Sequence, residues 1–213
     1  TVPGSRAICN WDEDALTMAV QAARSCLAGF EGGGSHDGGG PRDGGGPRGG
    51  GGPRGGSTPR DGDALPQSVL FCSTTAPFAD RDDAVLLAAA LDLPESIETL
   101  NLGASLRAGT GGLISALRIA GRTHSLVVAS DARLTRAGSA QELTYGDAAA
   151  AMLLGPPSPA ALATVLAVRA AGSDFVDHYR MSGAAFDYAS EERWVRDESL
   201  LQWISDSQIS ALV

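Results

Sequence analysis

Few side chains in this sequence can form covalent intermediates or transfer protons near neutral pH. The cysteines are Cys9, Cys26 and Cys72, and the histidines are His36, His124 and His178. All cationic side chains are arginine, so no lysine is present to form a Schiff base or to act as an amine base. The cysteines lack the spacing of a zinc site and are odd in number, which excludes a simple disulfide framework. We interpret them as small core thiols and predict no metal site.

The overall charge restricts the classes of partner. The formal net charge is −9 and the sequence pI is about 4.7. Such a chain repels nucleic acid and anionic lipid at long range, so neither is expected as a partner. The longest apolar runs are too short to span a bilayer, and residues 1–4 lack a signal-peptide pattern. The sequence therefore predicts a soluble cytoplasmic protein.

A glycine-rich segment interrupts the chain over residues 32–60. It contains three copies of Gly-Gly-Gly-Pro-Arg, at 38–42, 44–48 and 50–54. Because these residues have few apolar side chains to offset their chain entropy, we expect a flexible surface insertion. A phosphate-binding glycine loop requires a strand before it and a helix after it, and neither is predicted here.

Outside the insertion, apolar spacing predicts alternating helices and strands. Asp12 to Asp14 precede apolar residues at intervals of three and four, which predicts a helix from Glu13 to Ala28. The predicted elements that follow are a strand at 69–72, a helix at 82–91, a strand at 97–102, a helix at 108–120 and a strand at 125–129. This alternation is typical of an α/β fold with a parallel sheet covered by helices on both faces.

The pattern changes after Ser130. Apolar runs at 145–155 and 160–171 flank a proline-rich turn, and we interpret them as an antiparallel pair. The tail from Asp174 contains aromatic and charged residues and is predicted to lie at a surface or interface. The predicted organisation is an N-terminal helical segment (1–31), the insertion (32–60), an α/β core (61–172) and the tail (173–213).

Five short segments occur in an order that resembles the thiolase superfamily. They are DEDALTMA at 12–19, STTAPF at 73–78, RAGT at 107–110, GDAAA at 146–150 and DHYR at 177–180. Within the superfamily, the chain is most similar to the hydroxymethylglutaryl-CoA (HMG-CoA) synthase-like proteins of bacteria and archaea. The resemblance implies a thiolase-like fold, a layered sheet with helices on both faces.

Family members have two similar α/β halves, and this chain resembles the first half without its first strand. The second half supplies the catalytic histidine and much of the acyl pocket. The resemblance therefore leaves the chain as a fragment, a split subunit or a partner of another chain, and it implies a homodimer, or a hetero-oligomer with a chain that supplies the second half. It also implies an acyl-CoA partner, with a coenzyme A thioester as substrate and no metal.

The family's nucleophile is a cysteine at a tight strand-to-helix turn. Matching the turn at 107–110 places Leu106 at that position, with Ser105 beside it, and leucine cannot attack a thioester. Ser105 has three interpretations: a substitute nucleophile with His178 or His124 as base, a helix cap, or a residue that positions substrate. His178 is alternatively a surface or interface histidine with a structural hydrogen bond.

The resemblance also locates a general acid or base and a coenzyme A site. The family's glutamate matches Thr74, or Thr75 if the alignment shifts by one, and threonine cannot exchange a proton near neutral pH. Arg107, beside a helix N-terminus, could hold a carboxylate or phosphate of an acyl-CoA, or could pair with Asp147. Gly109 in the same turn is included in this predicted coenzyme A site.

Three functions follow from these matches. The first is an acyl-CoA-dependent acyltransferase or condensing enzyme whose nucleophilic cysteine has been replaced. The second is a non-catalytic thiolase-like subunit that supports an active partner chain. The third is a carbon–carbon lyase that forms no covalent intermediate. Leu106 and Thr74 favour the subunit, whereas the turn at 107–110 favours an enzyme.

Overall fold

The described part of the chain contains a four-stranded sheet with helices on both faces. A computed structural model describes residues 5–31, 65–119, 123–159, 161–170 and 176–200. The predicted insertion at 32–60 lies outside the described residues. The elements are α1 (Ala15–Glu31), β1 (Ser68–Cys72), α2 (Asp83–Ala90), β2 (Glu98–Leu102), α3 (Ala108–Ile119), β3 (Ser125–Asp131), α4 (Ala140–Thr144), β4 (Ala148–Leu154), β5 (His178–Tyr179), β6 (Tyr188–Ala189) and α5 (Glu192–Val195), followed by a π-helical turn at Arg196–Leu200.

The sheet has the strand order β2-β1-β3-β4. The central strand β1 pairs in parallel with both β2 and β3, and β4 pairs antiparallel with β3. The predicted parallel α/β sheet is therefore confirmed for the first three strands. Because those strands are parallel, their carboxyl ends meet at one edge of the sheet.

The two faces of the sheet bury separate apolar clusters. Val69 and Phe71 of β1 point to the face that packs against α1 and α2. Leu70 and Cys72 point to the opposite face, which packs against α3. This alternation follows from the two-residue period of a strand, and it confirms that helices cover both faces. Because α1 packs directly on β3 and β4, the helix predicted within segment 1–31 belongs to the same core as the sheet.

The antiparallel pair predicted after Ser130 is wrong, because its first strand, β4, pairs with a different part of the chain. Strand β4 pairs with β3, in the register Ser125 to Leu154, rather than with the run at 160–171. Residues 161–170 of that run form no strand and are exposed. Both runs are apolar, but apolar character alone does not determine which strand is the neighbour.

None of the helices in the described ranges has the length and apolar character needed to cross a membrane.

Gly112 of α3 is buried against the sheet, next to Cys72 of β1, Leu102 of β2 and Val127 of β3. A Cβ added at Gly112 would lie 2.3 Å from Cys72 Sγ and 3.2 Å from Leu102 Cδ1. At Gly111, one position earlier, an added Cβ meets no atom within 4 Å.

Substitution of these two neighbouring glycines separates packing from helix propensity. Gly112→Ala is expected to destabilise the fold by about 1–3 kcal/mol, because Cys72 and the helix must move apart. Gly111→Ala is the matched control and is expected to stabilise the fold by about 0.5–1 kcal/mol through helix propensity. Urea unfolding of both variants measures the difference. Equal free energies of unfolding would contradict the close contact between α3 and β1.

A buried carboxylate lies in the first turn of α2. Asp83 is 1% exposed, and its Oδ1 accepts no hydrogen bond from the described residues. Burial, together with the neighbouring Asp82 carboxylate, raises the pKa of Asp83, and the Arg81 guanidinium opposes this only in part. The protonated form of Asp83 is therefore favoured more strongly in the native state than in the unfolded chain.

The sign of the pH dependence follows from this raised pKa. The stability that Asp83 contributes is complete below its unfolded pKa and is lost as the pH rises through its higher folded pKa. Asp83→Asn is therefore expected to raise the urea midpoint at pH 7 relative to wild type, and the gain should shrink near pH 3. The exposed Asp80→Asn variant is the control. A lower midpoint for Asp83→Asn at pH 7 would show that the ionised carboxylate stabilises the fold.

Candidate functional site

The carboxyl ends of β1, β2 and β3 form one edge of the sheet, which we call the carboxyl edge. The Ser73 amide after β1 donates to the Leu102 carbonyl at the end of β2, at 2.9 Å. A Cβ added at Gly103 would lie 3.1 Å from the Ser73 carbonyl oxygen, so the chain after β2 passes close to β1. The loops after these strands bring together most of the residues that the sequence singled out. In open α/β sheets, ligands bind in the crevice beyond such carboxyl ends.

Asp131, at the end of β3, organises the loop that follows β1. Its Oδ1 accepts hydrogen bonds from Ser73 Oγ at 3.2 Å, Thr74 Oγ1 at 2.9 Å and Thr75 Oγ1 at 3.1 Å. The Thr74 amide donates to the same oxygen at 2.7 Å. One carboxylate oxygen thus joins three consecutive residues of β1's loop to the end of β3. We call these four residues the Asp131 cluster.

The direction of each hydroxyl proton follows from the donors around it. Arg133 Nη1 donates to Thr74 Oγ1 at 2.8 Å, and the Ala132 amide donates to Thr75 Oγ1 at 2.9 Å. Arginine and amide nitrogens only donate, so each threonine oxygen accepts from them and directs its own proton to Asp131. The hydroxyl protons of Thr74 and Thr75, two candidate catalytic residues, are therefore committed to Asp131 rather than directed outward.

A segment from the tail, residues 176–190, is attached to this edge. We call it the His178 segment. Arg133 Nη2 pairs with Asp187 Oδ1 at 2.7 Å, and the Tyr145 hydroxyl donates to Asp187 Oδ2 at 3.2 Å. Arg180 also donates to the backbone carbonyl of Thr74. The side chains of Arg133 and Asp187 are 12% and 3% exposed, so this ion pair is nearly buried.

Protonation in this group follows from burial and from the guanidinium. Burial by itself raises the pKa of Asp187, but hydrogen bonding and charge from Arg133 outweigh it and lower the pKa below its usual value. Burial and the neighbouring Asp187 carboxylate raise the pKa of Tyr145. Asp187 is therefore ionised and Tyr145 neutral at pH 7. Sequence reasoning missed Arg133, Tyr145 and Asp187, because no local spacing links positions so far apart in the chain.

The turn between β2 and α3 contains the positions matched to the family's nucleophile. Ala104 has a φ of 57°, a left-handed conformation that is rare for a residue with a Cβ. The Ser105 hydroxyl accepts from the Arg107 amide at 3.1 Å, an interaction typical of a helix start. Leu106 is 42% exposed at this turn, just before α3 begins at Ala108. Gly109, in the first turn of α3, lies beside β3, and a Cβ added there would make an ordinary van der Waals contact with Ala129 Cβ at 3.4 Å.

The two described histidines have different positions. His178 Nδ1 lies 2.8 Å from Asp177 Oδ1, and its ring centroid is 5.7 Å from that of Tyr145. No hydrogen bond joins His178 to Ser105 in the described part of the chain. His124 precedes β3 and therefore lies at the amino end of the sheet, opposite the carboxyl edge. A pairing of Ser105 with His124 as its base is excluded by this geometry.

The cysteines do not provide a substitute nucleophile at this edge. Cys72 is 2% exposed, and burial raises the pKa of its thiol to about 11. Burial also raises the pKa of Cys9 and Cys26. Thiolate is the reactive form, so Cys72 is chemically inert at neutral pH. Asp147, considered above as a partner for Arg107, accepts from the Cys9 amide at 3.0 Å.

The sheet order, the antiparallel fourth strand and the helices on both faces define a thiolase-like fold, as the sequence resemblance predicted. Known structures support this class at low sequence identity. MvaS in complex with 3-hydroxy-3-methylglutaryl coenzyme A matches with a TM-score of 0.68 and 20% identity, over 98% of this chain and 46% of that chain. An HMG-CoA synthase complexed with CoA matches with a TM-score of 0.66 and 15% identity, over 97% of this chain and 46% of that chain.

A third solved structure has a similar fold over a smaller part of this chain. A 3-oxoacyl-(acyl-carrier-protein) synthase III matches with a TM-score of 0.51 and 17% identity, over 72% of this chain and 39% of that chain. The chain thus spans less than half the length of each of these three proteins. No family model and no curated protein matches the sequence.

Removal of the Asp131 charge is expected to lower the free energy of unfolding. Asp131→Asn keeps the shape but replaces a carboxylate that accepts four hydrogen bonds, so we expect a loss of about 1–3 kcal/mol in the free energy of unfolding. Asp197→Asn is the matched control, because Asp197 forms an exposed ion pair with Arg196. That control should change stability by less than about 0.5 kcal/mol. Urea unfolding at pH 7 compares the two, and equal losses would contradict the proposed importance of the cluster.

Proposed function

We propose that this chain is the first half of an acyl-CoA-dependent acyltransferase or condensing enzyme related to HMG-CoA synthase, with the nucleophilic cysteine replaced. The main support is the match of nearly the whole chain to one half of an enzyme solved with 3-hydroxy-3-methylglutaryl coenzyme A. The carboxyl edge then holds the thioester, beside the turn that contains Leu106. A second α/β half, in the same polypeptide, another copy or another chain, completes the site.

Exposed apolar residues support the need for a second half. Residues 161–170 follow the edge strand β4, and Leu166 in this run is 93% exposed. Met152 of β4 is 54% exposed and pairs with Val127, on the face where α3 packs over β1, β2 and β3. Apolar surface of this kind is typical of an interface. We infer that the second half covers both regions.

The residues of this half bind and orient the thioester rather than attack it. Arg107, near the amino end of α3, provides a cation next to a helix N-terminus, which together favour a phosphate or carboxylate of the acyl-CoA. Gly109, in the first turn of α3, lies beside Ala129 of β3 at the same edge. Leu106 presents an apolar side chain where the family has its thiol. Proton transfer then depends mainly on groups from the second half. His178 is the candidate that this chain contributes.

A non-catalytic subunit is the second candidate function, and two observations favour it. Leu106 cannot form a thioester, and the hydroxyl protons of Thr74 and Thr75 are directed to Asp131. In that case the chain supports the fold and interface of an active partner.

A lyase that cleaves a carbon–carbon bond without a covalent intermediate would also tolerate Leu106. Ser105 remains the proposed site if a covalent acyl group forms on this chain.

Coenzyme A binding and covalent acylation can be measured on the same assembly of this chain with its second half. The proposal predicts bound CoA by calorimetry and no acyl adduct by peptide-mapped mass spectrometry after incubation with acetyl-CoA. Arg107→Ala should weaken CoA binding by roughly tenfold or more, since a charge-assisted contact is lost. Arg118→Ala, in the last turn of α3, is the matched control and should bind as wild type.

Each alternative gives a different result in this experiment. An adduct on Ser105 would contradict the non-covalent mechanism and establish an acyl-serine route. CoA binding that Arg107→Ala leaves unchanged would contradict the proposed anion contact. No CoA binding to an assembly whose partner is active would overturn the enzyme proposal and support the non-catalytic subunit.

A further inference from the structure

We propose that Arg133 is a positioning residue that holds the His178 segment on the carboxyl edge. One guanidinium contacts Thr74 on the edge through Nη1 and Asp187 in the segment through Nη2, at 2.8 and 2.7 Å. The two contacts bring together parts of the chain that are far apart in sequence. The fork of arginine donors has the fixed geometry that such a bridge requires, and a lysine ammonium does not.

The His178 segment has little structure of its own to keep it in place. Strands β5 and β6 contain two residues each, and within the described ranges they pair only with each other. One further backbone bond, from the Ser190 amide to the Asp177 carbonyl, closes this small hairpin. An isolated hairpin of this size is at best marginally stable, so its position depends on contacts to the sheet. In the described part of the chain, Arg133, Tyr145 and Arg180 form hydrogen bonds between this segment and the sheet or its loops, and Arg136 lies over the Phe186 ring at 5.6 Å.

The Arg133–Asp187 ion pair contributes more to the position of the His178 segment than to the stability of the fold. Arg133 and Asp187 are nearly buried, and Arg133 Nε is buried without a partner among the described residues. Burying two charges and an unpaired donor costs free energy, which an apolar pair of the same size would avoid. An apolar pair would form no directional hydrogen bonds. It would therefore neither direct the Thr74 hydroxyl proton towards Asp131 nor fix the position of the hairpin at the carboxyl edge. Directional contacts of this kind are the best physical reason to retain a buried ion pair.

Tyr145 contacts both Asp187 and His178, and so links the position of the His178 ring to that of Asp187. Its hydroxyl donates to Asp187 Oδ2, and its ring faces His178 with centroids 5.7 Å apart and an interplanar angle of 52°. The path from Arg133 to His178 therefore has three contacts: an ion pair, a hydrogen bond and a ring contact. This positioning role deepens the proposed function, because it places His178 at the carboxyl edge, but the contacts do not depend on which ligand binds there.

The test uses the full chain without ligand, so that it does not depend on acyl-CoA binding. The chain has three histidines, which makes the His178 ring a simple NMR probe once its signals are assigned. In wild type, a nuclear Overhauser effect is expected between the rings of Tyr145 and His178. Arg133→Ala should abolish it and speed amide hydrogen exchange in β5 and β6 by roughly tenfold or more. Exchange in β3 should stay within about twofold.

Two further variants keep the test decisive if Arg133→Ala fails to fold. Asp187→Asn removes the charge of the acceptor with little change in volume and should also weaken the ring contact. Arg133→Lys keeps the charge but cannot hold both partners, so its exchange should lie between wild type and Asp187→Asn. Arg196→Ala, which breaks the exposed pair with Asp197, is the matched control and should change neither signal.

The outcomes separate positioning from general stability. Loss of the ring contact in Asp187→Asn, with β3 protected and the His124 signals unchanged, supports the proposal. An unchanged ring contact and unchanged exchange in β5 and β6 for both Asp187→Asn and Arg133→Lys would overturn it. Equal acceleration in β3, β5 and β6 would also overturn it, because Arg133 would then act only on the whole fold. None of these readouts changes if the acyl-CoA proposal fails.

Discussion

A single carboxylate oxygen, Asp131 Oδ1, is the constraint on which the carboxyl edge depends. It accepts three hydroxyl protons and one amide proton from the three residues that follow β1. Because Asp131 itself ends β3, these bonds join the ends of two neighbouring strands. They also determine which way the Thr74 and Thr75 hydroxyls point, and so what those residues can offer a ligand. The chemistry available at this edge is therefore limited by an interaction that first serves the fold.

The residues that the sequence resemblance matches to the family's catalytic positions have consistent physical consequences. With Thr74 at the position matched to the family's glutamate, the site has a hydroxyl that bridges Asp131 and Arg133 and cannot exchange a proton near pH 7. With Leu106 at the nucleophile position, the turn before α3 has an apolar group and no thiol. Cys72 does not compensate, since it is buried and has a pKa of about 11. All three observations favour a half that binds and positions over one that forms a thioester.

The regular elements near the centre of the fold could be predicted from sequence, whereas their partners and the polar contacts could not. Apolar runs and three-to-four spacing predicted β1, β3 and α3 within a few residues, because burial alone determines that pattern. The pairing of β4 with β3 was missed, since two apolar runs in sequence carry no information about which strands are neighbours. Arg133 and Asp187 are 54 positions apart, and only the folded chain brings them into contact. Local spacing also could not reveal that Thr74 and Thr75 share one acceptor.

A crystal structure of the chain with its second half and acetyl-CoA would test the central claim most directly. We expect the thioester at the carboxyl ends of β1, β2 and β3, with the acyl carbon beside Leu106 and no covalent bond to this chain. The Arg133–Asp187 ion pair should remain intact and hold His178 over the same edge. Coenzyme A bound elsewhere, or electron density continuous from the acyl group to Ser105, would contradict a carboxyl edge that binds and positions the thioester without attacking it.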